Sequence, residues 1–221
     1  MSMPFPNYYW CFSKGLSSQF CDDVVELGKG RPEVRAFTGT EGKTRDTKNK
    51  PFTKDELSNL KQKRDSHVVW MSEPWIYNTI HPFIREANIK AGWNFQWDWT
   101  EPCQFTKYGL NQFYGWHMDS WDNSYTTHES SNQSMQGKIR KLSAICQLVD
   151  PSEYEGGQVE FDLRTYEPHL RDESQHIIEL KELRPKGTII VFPSHIWHRV
   201  QPVTKGTRYS LVIWNLGDPF K

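Results

Sequence analysis

The run TIIVFPSHIWHRVQPVTKGTRYSLVIW, Thr188 to Trp214, decides the fold. It holds three β-prone segments: Thr188–Phe192, Trp197–Val203 and Arg208–Trp214. Each is rich in β-branched and aromatic residues, which suit a pleated, half-buried surface. Pro193-Ser194 breaks the first from the second, and Pro202 through Gly206 supplies a turn before the third. Strand follows strand with no helix between, the pattern of a sandwich or barrel.

The same texture extends upstream as far as Pro102. Cys103–Tyr108, Phe113–Met118, Leu142–Val149, Gln158–Leu163 and His176–Leu180 bring the number of short strands to eight. Eight antiparallel strands fit a double-sheet jelly roll. Gly156-Gly157 reads as a tight turn between Leu148 and Val159, where positive φ favours glycine. A polar insertion, Ser120 to Lys138, interrupts the strands and reads as a long loop. The first hundred residues read partly helical. Ser17 caps a helix running to about Gly28, and Thr53-Lys54-Asp55-Glu56 is a capping-box pattern for a helix to about Arg64. Ser72-Glu73-Pro74 starts another, along which Ile76, Tyr77, Ile80, Phe83, Ile84 and Ala87 recur at helical spacing. Between them, Thr40 to Lys50 is a charged loop or flap. The expectation is one domain over residues 1–221. Residues 1–100 form a helical support, and residues 101–221 form a mainly β jelly-roll core with a polar loop at 120–138.

Composition narrows the partners. Lys+Arg and Asp+Glu both number 27, so no net charge draws the chain to nucleic acid or an anionic membrane. Ten Trp predict an aromatic core and aromatic pocket walls. Cys11, Cys21, Cys103 and Cys146 lack metal-ligand spacing and read as free thiols of a reducing compartment. Met1-Ser2-Met3-Pro4 is no secretory signal, and no run approaches the roughly 20 apolar residues of a membrane helix. A cytoplasmic protein is expected; oligomeric state is not legible.

Gly115-Trp116-His117-Met118-Asp119 carries the sharpest chemical signal. Side chains alternate along an extended chain, so His117 and Asp119 point the same way and can meet one metal. A third ligand must come from elsewhere, and His195 and His198 are both candidates. If the chain folds back about Pro202–Gly206, residue 200 lies opposite residue 208. Arg208 then reaches a metal held by His198. An inward guanidinium is costly unless paired. Its fork suits a carboxylate, and Ser210 can donate to the same group. Two imidazoles and one carboxylate form a facial triad that leaves positions open on Fe(II) for O₂ and a chelating diacid. Arg208 would hold the diacid's far end.

Taken together, these residues resemble the prolyl 4-hydroxylase-like 2-oxoglutarate/Fe(II) dioxygenases, in their small bacterial and phage forms. The resemblance rests on Tyr108, His117-x-Asp119, Arg140-Lys141-Leu142-Ser143, Tyr154-Glu155-Gly156-Gly157, Phe192-Pro193-Ser194, His198-Arg199-Val200 and Arg208-x-Ser210, in that order. It implies a double-stranded β-helix, a cupin-like jelly roll, with Fe(II) held by His117, Asp119 and His198. His198 is preferred over His195 because ten residues separate it from Arg208, as in the family. It implies 2-oxoglutarate and O₂ as co-substrates, with ascorbate as a possible accessory. Arg208 and Ser210 would then anchor the far carboxylate, and Tyr108 would contact the co-substrate. It also implies hydroxylation of a prolyl residue in a peptide or protein. Trp121 and Tyr125, in the insertion after Asp119, are candidate substrate-gripping residues. Other readings are the same chemistry on a small metabolite, free amino acid or nucleobase, a non-catalytic cupin-like metal-binding module, and a metal-dependent hydrolase.

Overall fold

Ser17 begins the first helix as expected, its hydroxyl accepting from the Phe20 N–H across the first turn. The structure, a computed structural model, describes residues 7–36, 63–120, 124–126, 132–163 and 176–220. Two α-helices occur among them, α1 (Ser18–Lys29) and α2 (Pro74–Lys90). Pro74 opens α2, where its missing N–H costs nothing. The strands of the first half are β1 (Trp10–Phe12), β2 (Val34–Arg35), β3 (Arg64–Asp65), β4 (His67–Met71) and β5 (Trp99–Thr100). Then come β6 (Cys103–Tyr108), β7 (Phe113–His117), β8 (Ile139–Gln147), β9 (Tyr154–Gly156) and β10 (Val159–Asp162). The chain closes with β11 (Ile177–Glu179), β12 (Ile189–Pro193), β13 (Trp197–Val200), β14 (Val203–Gly206) and β15 (Arg208–Gly217).

Two antiparallel sheets face each other. The larger runs β1-β12-β8-β15-β6-β4-β2, with β5 on the end of β15; the smaller runs β11-β10-β13-β7-β3. This is the expected jelly roll. Strands β8 and β15 lie at its centre and are buried along nearly their whole length. Their two faces serve different cores. Leu142, Ala144, Cys146, Leu211 and Ile213 pack outward against Phe20, Val24, Ile76, Ile80 and Ile84 of the helices. Between the sheets, Ile145 and Ile190 meet Val159, Phe161 and Val200. The helices therefore stiffen the back of the larger sheet and leave its front to the site.

Three expectations are corrected. The first hundred residues are more than a helical support: β1, β2 and β4 extend the larger sheet and β3 edges the smaller. Pro202–Gly206 is not a simple hairpin turn, because Val203–Gly206 forms β14 and pairs with β9. Consequently β13 and β15 lie in opposite sheets, not side by side. The chain crosses the sandwich there, and Pro202, with no N–H for a ladder, ends the strand begun by Trp197. The Thr53–Arg64 helix, up to residue 62, and the Thr40–Lys50 loop lie outside the described residues. All four cysteines are free, and Cys21, Cys103 and Cys146 are buried. Among the described residues no helix is long and apolar enough to cross a membrane.

Candidate metal centre

His117 ends β7 and His198 lies on β13, directly opposite it in the ladder. Their rings sit 4.0 Å apart between centroids. Each Nδ1 is spent in the same way. That of His117 donates to the Gly115 carbonyl at 2.8 Å, and that of His198 to the Ile196 carbonyl at 2.9 Å. These bonds select the tautomer whose Nε2 carries a free lone pair, as metal-binding histidines require. Phe161 and Phe192 stand edge-on to His198 and hold its plane.

Asp119 lies just past β7 and is buried. Its backbone N–H and that of Ser120 both donate to the Ser194 carbonyl at 2.9 Å, which fixes the turn. Asp119 Oδ1 is 3.8 Å from His117 Nε2, and Oδ2 is 3.6 Å from His198 Nε2. The ligand atoms of all three lie within 4.8 Å of one another. Oδ2 is buried and accepts no hydrogen bond. A buried carboxylate oxygen without a donor is costly. Two imidazole lone pairs and an anionic oxygen facing one point are the donor set a divalent cation satisfies. The side chains fit the metal that the sequence implied. His195, the rival ligand, is outside this cluster.

Burial pushes the His117 pKa well below 6.5, helped by neighbouring His198 and only partly opposed by Asp119. Burial alone would raise Asp119, but His198, His117, Arg140 and a Ser143 hydrogen bond together bring it below 3.8. A neutral His117 and an ionised Asp119, which these shifts favour, are the protonation states metal binding needs. The sign for stability follows. In the unfolded chain a histidine takes up its proton near 6.5; folded and metal-free, His117 does so only at much lower pH. Stability present above 6.5 is lost as pH falls below it, because the unfolded chain then binds a proton that the folded one does not. Thermal melts of metal-free protein should therefore decline from about pH 7 to 5, and less steeply in His117→Gln. Parallel slopes in the two proteins would refute that origin.

The three groups open onto a cleft between the sheets. Along its floor β15 presents Arg208, Ser210, Val212 and Trp214, every second residue. Arg208 is 1% exposed and its Nη2 has no partner. Among the described residues no carboxylate pairs with it. Tyr108 is its ladder partner on β6, and Ser210 sits next along the floor. Thus Tyr108, His117, Asp119, His198, Arg208 and Ser210 share one cavity, although the route differs from the expected hairpin. Arg208 faces His198 across the sandwich.

Gly157 has a role beyond its turn. Its φ is +61°, and an added Cβ would lie 3.0 Å from Arg208 Cδ and 3.1 Å from Val203 Cγ2. Gly157→Ala combines this crowding with a left-handed backbone, which costs about 1–2 kcal/mol for a residue with a Cβ. It should lower the melting temperature and weaken diacid binding together. A change in neither would show that the guanidinium stem has room to spare.

Tyr125 was expected to grip substrate. It is buried instead, and its hydroxyl donates to Glu101 at 2.9 Å. With its backbone paired to Lys138 and Gly137, it ties the insertion to the sandwich. Trp121 lies outside the described residues. Sequence reasoning missed Glu101, which grips Arg140 through two bonds of 2.7 Å. Arg140 lies over the Trp214 ring at 3.8 Å and braces the cavity wall. Nothing in the local sequence marks a lone Glu before a Pro as the partner of an Arg 39 residues on.

Similarity to known proteins agrees with this geometry. A PKHD-type hydroxylase of Psychrobacter sp. (strain PRwf-1) is 35% identical over 114 residues, 51% of this chain and 37% of that protein. A PKHD-type hydroxylase of Xylella fastidiosa (strain M12) is 34% identical over 116 residues, 52% of this chain and 44% of that protein. The chain thus spans less than half the length of these curated relatives. In fold it is similar to the viral collagen prolyl hydroxylase of Paramecium Bursaria Chlorella virus-1, crystallised with 2OG. The TM-score is 0.60 at 18% identity, over 96% of this chain and 97% of that one. The family model described as the 2OG-Fe(II) oxygenase superfamily matches residues 103–215, from the first core strand to the end of the cavity floor, and the chain belongs to that superfamily.

Proposed function

We propose that this chain is a 2-oxoglutarate- and Fe(II)-dependent dioxygenase that hydroxylates a prolyl residue of a peptide or protein, and that residues 1–221 act as one catalytic domain. One observation carries the reading: two imidazole nitrogens and a donorless carboxylate oxygen converge in a cavity whose end holds an unpaired, buried guanidinium. His117, Asp119 and His198 would hold the iron. Bound iron would activate O₂, the oxidant, with 2-oxoglutarate giving up the other two electrons, so that a C–H bond is replaced by C–OH. The chain's own residues position and shield. Arg208 and Ser210 hold the far carboxylate, which sets which end of the diacid faces the metal. Phe161, Phe192, Ile145 and Val159 keep bulk water from that region. The PKHD-type hydroxylase relatives and the prolyl hydroxylase fold neighbour support the choice of substrate.

The substrate would enter at the end of the floor away from Arg208. Gln104 lines the cavity there, and Trp70 is its ladder partner, so both side chains leave the sheet on the same face. Trp70 is 48% exposed, and its ring lies 6.1 Å from that of Trp214. Two indoles at the mouth suit an extended, proline-containing segment. Trp70→Ala should raise the KM for a peptide about tenfold and leave the KM for 2-oxoglutarate unchanged, as loss of a single aromatic contact predicts. The general test is succinate formation from Fe(II)-loaded protein across a library of proline-containing peptides and their proline-free counterparts. Peptide-stimulated turnover confined to the former supports the reading, and equal stimulation by both opposes it.

A further inference from the structure

Arg208 borders a second cavity as well as the first. The cleft onto which the metal-facing groups open is lined by Arg208 and Val159, among others. The same two residues, with Gln147, Tyr154, Gly157 and Leu183, line a further space. That space has room for about one water-sized group. Arg208 and Val159 are therefore the partition between the two. The proposed diacid accounts for the first cavity and leaves the second unexplained.

The second cavity holds an unmet acceptor. Gln147 lies opposite Ser210 in the ladder, so its side chain leaves the sheet on the same face as those of Ser210 and Arg208. It is fully buried. Its Nε2 donates to the Val149 carbonyl at 3.1 Å and to the Tyr154 hydroxyl at 3.2 Å. Its Oε1 is buried and accepts no hydrogen bond among the described residues. Arg208 Nη2, an unmet donor, belongs to another residue lining the same space. The stem of Arg208 also has space kept for it. Gly157 lines the second cavity, and a Cβ there would press on Arg208 Cδ. A guanidinium that drew back from the first cavity would find both room and an acceptor. Its five N–H groups leave others to hold a carboxylate at the same time.

We infer that Arg208 is a movable end wall, free to retreat toward Gln147 past Gly157, so that the site also accepts a 2-oxo diacid one methylene longer than 2-oxoglutarate. The inference rests on the proposed binding of 2-oxoglutarate in this cavity. The test is anaerobic titration of 2-oxoglutarate and of 2-oxoadipate into Fe(II)-loaded protein, following visible absorption. Both diacids present the same 2-oxo acid end to the metal, so one band reports both. A fixed pocket rejects a surplus methylene by about 10- to 200-fold. Here the two dissociation constants should differ by less than about tenfold. Gly157→Ala, which obstructs the retreat, should raise their ratio at least about tenfold, beyond any loss common to both diacids. Leu183→Phe, which fills the second cavity from another wall, should do the same and serves if Gly157→Ala does not fold. A ratio of about tenfold or more in the parent protein would overturn the inference. So would a ratio that folded variants leave unchanged, because the longer chain would then be buckling within the first cavity. The two levels are separable. If 2-oxoglutarate gives the band and 2-oxoadipate does not, only the movable wall falls. If neither does, the co-substrate site falls and takes the wall with it.

Discussion

Arg208→Met is expected to weaken 2-oxoglutarate binding by about 100- to 1,000-fold, the range for losing one partner of a buried charge pair. The same substitution should raise the melting temperature of the protein without co-substrate. Both effects have one cause. Arg208 is 1% exposed, with a buried, partnerless Nη2. In the free protein that unmet donor costs about 1–3 kcal/mol, and Met fills similar volume without the charge. The diacid converts this cost into affinity, because its carboxylate supplies the missing counter-ion. Stability and binding thus move in opposite directions, as they do where function demands a locally unfavourable group. Thermal melts with and without saturating 2-oxoglutarate measure both. A variant destabilised in both conditions would mean that Arg208 serves packing and not a ligand.

Asp119→Ala should abolish the visible band formed anaerobically with Fe(II) and 2-oxoglutarate, and lower succinate formation by at least about a thousandfold. That figure exceeds the 10- to 100-fold expected for losing an outer-shell partner of a metal ligand. Asp119 is the one anionic ligand of the cluster, its Oδ1 facing His117 Nε2 and its Oδ2 facing His198 Nε2. Without it only two imidazoles remain, too few to hold a hard divalent ion against water. His198→Ala should do the same. His195→Ala should leave the band intact, since His195 is outside the cluster. A band that survives in Asp119→Ala would move the iron elsewhere.

The residues of the core were legible because strand periodicity is a local property. Cys103–Tyr108 is β6 with its bounds as read, and the others differ by a few residues at their ends. His117-x-Asp119 was legible for the same reason: a two-residue period states which side chains share a face. Which sheet a strand joins is not local. The turn residues before Arg208 suggested a hairpin, whereas the chain crosses between sheets through β14. Arg208 reaches the cavity anyway because the period places it on an inward face in either arrangement. β4, His67–Met71, was missed because a five-residue run leading into a helix start has no signal of its own until β6 lies beside it. Arg64 and Glu101 were invisible for a related reason. A charged residue in sequence reads as surface, and only the fold shows each buried beside an aromatic ring or an opposite charge. Gly157 was read as a turn residue. Its contact with the Arg208 stem depends on a partner 51 positions away.

The most direct test is a crystal structure of the protein grown without oxygen in the presence of Fe(II) and 2-oxoglutarate, with anomalous scattering collected at the iron edge. One iron peak should lie among His117 Nε2, Asp119 Oδ2 and His198 Nε2, with the diacid's outer carboxylate on Arg208. An iron peak away from these three atoms, or a diacid bound with Arg208 untouched, would contradict the account.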